Sequence, residues 1–278
     1  MIRMERKPNL HFLFFNPFLK FIPEIIIFRV KSLAMAFSGS RSLAAASLLM
    51  LLFMVGCSYS QDKMGSTYFN SRMEMVRRQI EARGIRDKGV LDAMKKVERH
   101  LFIPEAYRDA AYGDHPLPIG NGQTISQPYI VALMTDELDL ASTDKVLEVG
   151  TGSGYQAAIL AEICDSVFSI EIYETLYESA GKLLNELGYR NIFLKHGDGY
   201  KGWPEHAPFD AIIVTCAPTH VPPALEYQLA EGGRMVIPTG DEYYQELILL
   251  KKVNGQLERE GIVPVRFVPM IGEDGTSY

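Results

Sequence analysis

The chain has 278 residues, 47% of them hydrophobic, with a formal net charge of -6. That length and apolar content suffice for one sizeable domain with an appendage. The acidic balance supplies no basic field for phosphates, which disfavours DNA or RNA as a partner.

The first 66 residues read as an N-terminal extension. Positions 10–30 are apolar but broken by Pro17, Lys20, Pro23 and Glu24, which argues against a membrane span. From Met35 onward, Arg41 precedes the apolar run Leu43 to Val55, which ends at Gly56-Cys57. This 35–57 segment has the layout of a bacterial export signal. Met54-Val-Gly-Cys57 resembles a lipoprotein processing box, with Met where Leu is usual; acylation of Cys57 would anchor the mature chain to a membrane. The competing expectation is that translation starts internally, at a methionine such as Met64 or Met73.

Residues 67–278 read as the working domain. Met75, Val76, Ile80, Val90 and Leu91 have the spacing of short amphipathic helices, interrupted at Gly84 and Gly89, and predict a helical cap over 67–128. Gly120-Asn-Gly-Gln-Thr-Ile-Ser-Gln-Pro128 is a polar loop before a helix predicted at Tyr129 to Leu138. It is either a segment placed to close over a ligand or an ordinary helix start, with Ser126 or Thr124 as cap and Pro128 in the first turn.

The stretch Lys145-Val-Leu-Glu-Val-Gly-Thr-Gly-Ser-Gly-Tyr155 is the most informative. Val146, Leu147 and Val149 form a buried strand, Gly150, Gly152 and Gly154 a turn that a ligand can approach closely, and Tyr155 to Glu162 a helix. The pattern E-x-G-x-G-x-G differs from the G-x-G-x-x-G of dinucleotide folds. Glu148 beside the turn would repel a pyrophosphate but suits a cationic ligand, which favours S-adenosylmethionine over NAD. Glu171 closes the run Ser166 to Ile172 about twenty residues further on, where such folds place a carboxylate on ribose hydroxyls. Asp198, in Gly197-Asp-Gly199, follows the strand-like Ile192 to His196. All three acids fall at predicted C-terminal strand ends.

Further elements alternate: strand Asp165 to Ile172, helix Glu174 to Leu187, strands Ile192 to His196 and Ala211 to Thr215, helix Pro222 to Leu229, strand Arg234 to Pro238. Two tail strands follow, at Glu246 to Val253 and Val263 to Met270. The fold class is α/β, a mostly parallel, Rossmann-like sheet with helices on both faces, its core and C-terminal strands spanning 129–278. Cys164 and Cys216 read as packing residues, and no cysteine or histidine spacing indicates a metal site. Trp203 reads as surface packing or as a wall of the adenine pocket.

Gly-Gln-Thr-Ile-Ser-Gln-Pro128 followed by the E-x-G-x-G-x-G turn resembles the protein-L-isoaspartate O-methyltransferases. So do Val97 to Pro104, Phe209 to Pro218 and Leu229 to Pro238, in the family's order over about Tyr68 to Met270. The resemblance implies an S-adenosylmethionine-dependent methyltransferase sheet with permuted strand order and, as substrate, isoaspartyl residues in damaged peptides and proteins. It implies that Ser126 is the active-site serine, within a substrate loop including Gln123, Thr124, Ile125 and Gln127. By the same match Glu148, Gly150, Thr151, Gly152, Ser153 and Gly154 hold the methionine part of the cofactor, Glu171 the ribose, and Asp198 with Gly199 the adenine. Cys216 departs from the family, where a small alanine is common. A cofactor made in the cytoplasm favours a cytoplasmic location over an envelope lipoprotein, and a monomer is expected. The rival readings are a methyltransferase for another carboxylate or small molecule, and an envelope lipoprotein that binds altered peptides without turnover.

Overall fold

The computed structural model describes residues 66–278; the signal-like segment and Cys57 lie outside them. The chain enters as helix α1 (66–75), which widens into a π turn at Val76–Ile80 and tightens into a 3₁₀ turn at Glu81–Arg83. Gly84 ends it with φ of 107°, a left-handed conformation that costs glycine nothing. Helix α2 (Lys88–Lys96) follows, capped by Asp87, whose carboxylate accepts the Val90 N–H at 2.8 Å. Gly89 therefore lies inside α2 and does not interrupt the cap, because the Asp87 cap has already set the helix direction.

The loop predicted before the next helix is a β-hairpin. Strands β1 (Leu117–Gly120) and β2 (Gln123–Ile125) pair antiparallel through Asn121-Gly122, with φ of 50° and 70°. Two successive positive φ values match the right-handed twist of paired strands, and Asn-Gly tolerates them best. Helix α3 (Pro128–Glu137) starts immediately afterwards with Pro128 in its first turn. Its N-cap is Gln127, so neither Ser126 nor Thr124 caps it.

A seven-stranded sheet carries the rest. Strands β3 (Lys145–Val149), β4 (Ser166–Glu171), β5 (Ile192–His196), β6 (Phe209–Val214) and β7 (Leu229–Gly240) are parallel; β8 (Gln245–Val253) and β9 (Gln256–Val265) add an antiparallel hairpin. The spatial order is β5-β4-β3-β6-β7-β8-β9. Strand order reverses beside β3, and the C-terminal ends of strands on either side of such a switch point open a crevice. Helices α4 (Tyr155–Ala161), α5 (Glu174–Glu186) and α6 (Pro223–Gln228) make the connections, each within one or two residues of its predicted bounds.

Two apolar layers cover the sheet, divided by strand alternation. Val146, Val167, Ala211 and Ile213 face the cap and α4; Leu147, Val149, Phe168, Ile170 and Ile212 face the opposite side. In the cap, Arg99 is fully buried: its Nε donates to the Ala111 carbonyl at 2.8 Å, and its guanidinium lies 5.0 Å from the centre of the Tyr155 ring. The segment Val97 to Pro104 thus packs directly behind the glycine turn, with Phe102 edge-on to Tyr155.

The last strand differs most from expectation. It begins at Gln256, seven residues before the predicted Val263, and ends at Val265. The Asn254-Gly255 turn, with φ of 52° and 76°, forces β9 to pair with β8 at once. Its charged residues Glu258, Arg259 and Glu260 are exposed, as befits an edge strand, so no apolar alternation announces it. Residues 266–270 leave the sheet, and Met270 N–H bonds to the Ala217 carbonyl at 2.9 Å.

Leu147 is completely buried at the sheet's centre. Leu147→Ala should destabilise the protein by about 2–5 kcal/mol, read as a lowered urea midpoint with an unchanged slope.

Candidate active site

The glycine turn joins β3 to α4 and is tied to the neighbouring strand. Gly150 and Thr151 N–H both donate to the Ile170 carbonyl, at 2.8 and 3.2 Å. Gly150, Gly152 and Gly154 have φ of 100°, 54° and 85°. A Cβ on Gly150 would stand 2.3 Å from Thr215 Oγ1, a hydroxyl already donating to the Gly150 carbonyl at 2.7 Å. The turn therefore needs glycine both for its backbone angles and for its closeness to the end of β6.

Glu171, at the end of β4, faces the cleft so formed. One carboxylate oxygen accepts Gly152 N–H at 2.7 Å, the other Tyr173 N–H at 2.9 Å. Burial holds its pKa above the ordinary carboxylate value, and these backbone donors offset part of that rise. Each oxygen keeps a second lone pair for a ligand hydroxyl. Gly150, Gly152, Gly199, Thr215 and Cys216 line the same cleft.

Glu148 lies elsewhere. One residue before Val149 in a period-two strand, it points to the opposite face and is completely buried beneath the turn. Ser169 Oγ donates to one of its oxygens and is itself 2.6 Å from Thr151 Oγ1; among the described residues the other oxygen has no hydrogen-bond partner. Burial raises its pKa to about 8, with the Glu171 charge adding to the rise. At neutral pH it is mainly protonated, and its hydrogen bonding runs through Ser169 to Thr151 of the turn.

Asp198 is also withdrawn from the cleft, which its neighbour Gly199 lines instead. Its carboxylate accepts Tyr200 N–H at 2.9 Å and the Tyr278 hydroxyl at 2.7 Å, with Lys201 Nζ at 3.5 Å. Tyr278 stacks on Tyr200 with ring centres 4.0 Å apart, so the last residue is folded over this corner. Trp203 packs edge-on to Phe168 and does not reach the cleft. Cys164 and Cys216 have thiol pKa values pushed up to about 12 by burial, which keeps both protonated and non-nucleophilic at neutral pH.

The hairpin supplies the other wall. Ile119 comes within 3.2 Å of where a Gly152 side chain would start, and Asn121 Nδ2 donates to Thr175 Oγ1 at 2.6 Å at the start of α5. Strand β2 thereby carries Gln123 and Thr124 to the rim of the cleft. Ser126 and Gln127, which follow β2, line a second groove of about 450 Å³, while Ile125 is buried in the core. The cleft and the groove share Thr124, Thr215 and Val268. Thr215, Ser169 and Val268 were not expected as site residues. Thr215 ends a strand beside the turn, a readable signal; Ser169 and Val268 carry none.

A family profile for protein-L-isoaspartate(D-aspartate) O-methyltransferase (PCMT) matches residues 70–275. This chain belongs to that family. It is 52% identical over 231 residues to protein-L-isoaspartate O-methyltransferase of Opitutus terrae, covering 83% of this chain and 98% of the relative. It is 50% identical to protein-L-isoaspartate O-methyltransferase 2 of Shewanella sediminis, covering 81% and 95%. Among solved structures, a protein-L-isoaspartate O-methyltransferase superposes with a TM-score of 0.67 at 29% identity, covering 73% of this chain and 67% of that one. A Plasmodium falciparum beta-aspartate methyltransferase in complex with S-adenosyl-L-homocysteine gives 0.64 at 27% identity, covering 72% and 97%.

The chain thus brings Glu171, Gly150, Gly152 and Gly199 to one cleft and Ser126 to the adjoining groove, while Gly154 faces Leu184 of α5 and Glu148 and Asp198 lie behind the turns. The elevated Glu148 pKa gives the fold a pH signature. A carboxyl whose pKa is raised from 4.5 unfolded to about 8 folded contributes stability that is present below pH 4.5 and lost as pH climbs through 8. Glu148→Gln cannot ionise, so urea titrations across this range should show a flatter decline than the parent, with the largest gain at the alkaline end.

Proposed function

We propose that this chain transfers the methyl group of S-adenosylmethionine to the free α-carboxylate of L-isoaspartyl residues in damaged peptides and proteins, which begins their repair. The observation that carries the reading is the shared wall of Thr124, Thr215 and Val268, which sets the Glu171 cleft against the Ser126 groove. A donor in one and an acceptor in the other would meet there.

The residues present fit this cofactor. The side-chain-free turn lets a ligand approach the backbone, and Glu171 offers lone pairs to ribose hydroxyls. Bound there, S-adenosylmethionine supplies an activated methyl group. Glu148 and Asp198 support the site from behind, through Thr151 and Gly199.

The acceptor needs no general base. An α-carboxyl group ionises near pH 3.5, so the nucleophile is already anionic at neutral pH. What remains is alignment and removal of water. Ser126 orients the carboxylate by donating its hydroxyl proton in a hydrogen bond, and the hairpin excludes solvent whose hydration of the two reacting charges opposes their neutralisation. The backbone amide nitrogen that follows then attacks the ester carbonyl, losing its proton and expelling methanol, and water opens the resulting succinimide partly to normal aspartate without further help from the protein.

Among the described residues no helix is long and apolar enough to cross a membrane. The reading places the enzyme in the cytoplasm with its cofactor supply, as a monomer with no nucleic-acid partner, and with a membrane role only if Cys57 is acylated. Residues 67–278 would then form the methyltransferase domain, with 67–128 as cap and substrate loop.

Ser126→Ala should keep its affinity for S-adenosylmethionine and slow methyl transfer to an isoaspartyl peptide by about ten- to a thousandfold. Unchanged turnover would remove Ser126 from this role, and equal rates on a normal aspartyl peptide would favour another carboxylate as substrate. Glu171→Ala should weaken S-adenosylmethionine binding by about tenfold or more with a smaller change in kcat, measured by calorimetry and steady-state kinetics.

A further inference from the structure

The groove beside Ser126 is almost free of charge. Its walls are threonine, serine, glutamine, proline and apolar side chains, and among the described residues that line it only Arg266 ionises. Arg266 follows the end of β9, where the chain leaves the sheet, and it is exposed. Among the described residues its guanidinium makes no ion pair or hydrogen bond. It is thus an uncommitted cation on the rim of a neutral groove, in a chain whose net charge is -6.

We infer that Arg266 is a specificity-determining residue that selects isoaspartyl peptides carrying a second carboxylate next to the damaged residue. This rests on the reading of the groove as the substrate site. The reacting carboxylate is a poor partner for Arg266, for two reasons. It has to reach the wall formed by Thr124, Thr215 and Val268, whereas Arg266 lines the groove and not the cleft beyond that wall. Pairing with it would also stabilise the very charge that methyl transfer destroys, which raises the barrier. A flanking Asp or Glu side chain keeps its charge throughout the reaction, so its attraction to Arg266 acts on binding and leaves the chemical step alone. An acidic protein surface repels such peptides at a distance, and a cation at the rim offsets that locally.

The test compares isoaspartyl peptides with Glu or its neutral isostere Gln beside the isoaspartate, on each side in turn, using the full chain. The parent enzyme should show a KM about two- to fivefold lower for a Glu peptide than for its Gln counterpart, with similar kcat, and the gap should shrink as salt rises. R266Q should bring the two KM values together, and R266K should keep most of the gap. Active parent enzyme with no preference for Glu would overturn the inference alone, as would a preference that survives in R266Q. A uniform loss of kcat on both peptides in R266Q would overturn it in favour of a role on the reacting carboxylate. Parent enzyme that methylates neither peptide would overturn it together with the reading it rests on.

Discussion

The Glu171 carboxylate holds the site together by accepting two backbone N–H groups from different segments. One comes from Gly152 in the turn after β3, the other from Tyr173 after β4. Both strands end at the same edge of the sheet, and the carboxylate fixes how far apart their exits stand. The turn can reach Glu171 only because Gly150, Gly152 and Gly154 take positive φ values, and it can lie against β6 only because Gly150 has no side chain. The ligand-facing shape of the cleft follows from these two requirements. The hydrogen bonds are charge-assisted, which makes them stronger than bonds between neutral groups.

Beneath this arrangement lies a second carboxylate, more deeply buried and with fewer donors to offset that burial. Among the described residues Glu148 has no positive partner, so burial drives it toward the neutral form, and Ser169 and Thr151 extend it into a buried polar chain. Two acids at neighbouring strand ends thus have different work: Glu171 accepts from the turn and faces the cleft, while Glu148 anchors the turn from below. Asp198 resembles Glu148 in this respect, since the Tyr278 hydroxyl and Tyr200 N–H occupy its carboxylate.

The parallel core was legible because its signals are local and strong. Apolar runs at Lys145–Val149 and Phe209–Val214, and the glycine turn between β3 and α4, are set by burial on both faces and by backbone angles that few residues adopt. The spacing of Leu176, Ala180 and Leu184 on α5 likewise shows its buried face. Direction was harder to read. Glu148 was expected to face the ligand because it adjoins the turn, but strand alternation turns it away. The two hairpins were missed despite their Asn-Gly turns at Asn121-Gly122 and Asn254-Gly255, because β1 and β2 are short and β9 is polar. Which residues from distant segments share a wall, such as Thr215 with Thr124 and Val268, depends on the whole topology and is written in no single segment.

The most direct measurement is a crystal structure of the protein soaked with S-adenosylhomocysteine. The ribose hydroxyls should lie on Glu171, the adenine beside Gly199, and the sulfur should be directed at the wall of Thr124, Thr215 and Val268, with Glu148 still buried. Density for the ligand away from the Glu171 cleft, or a ribose with no contact to that carboxylate, would contradict this placement.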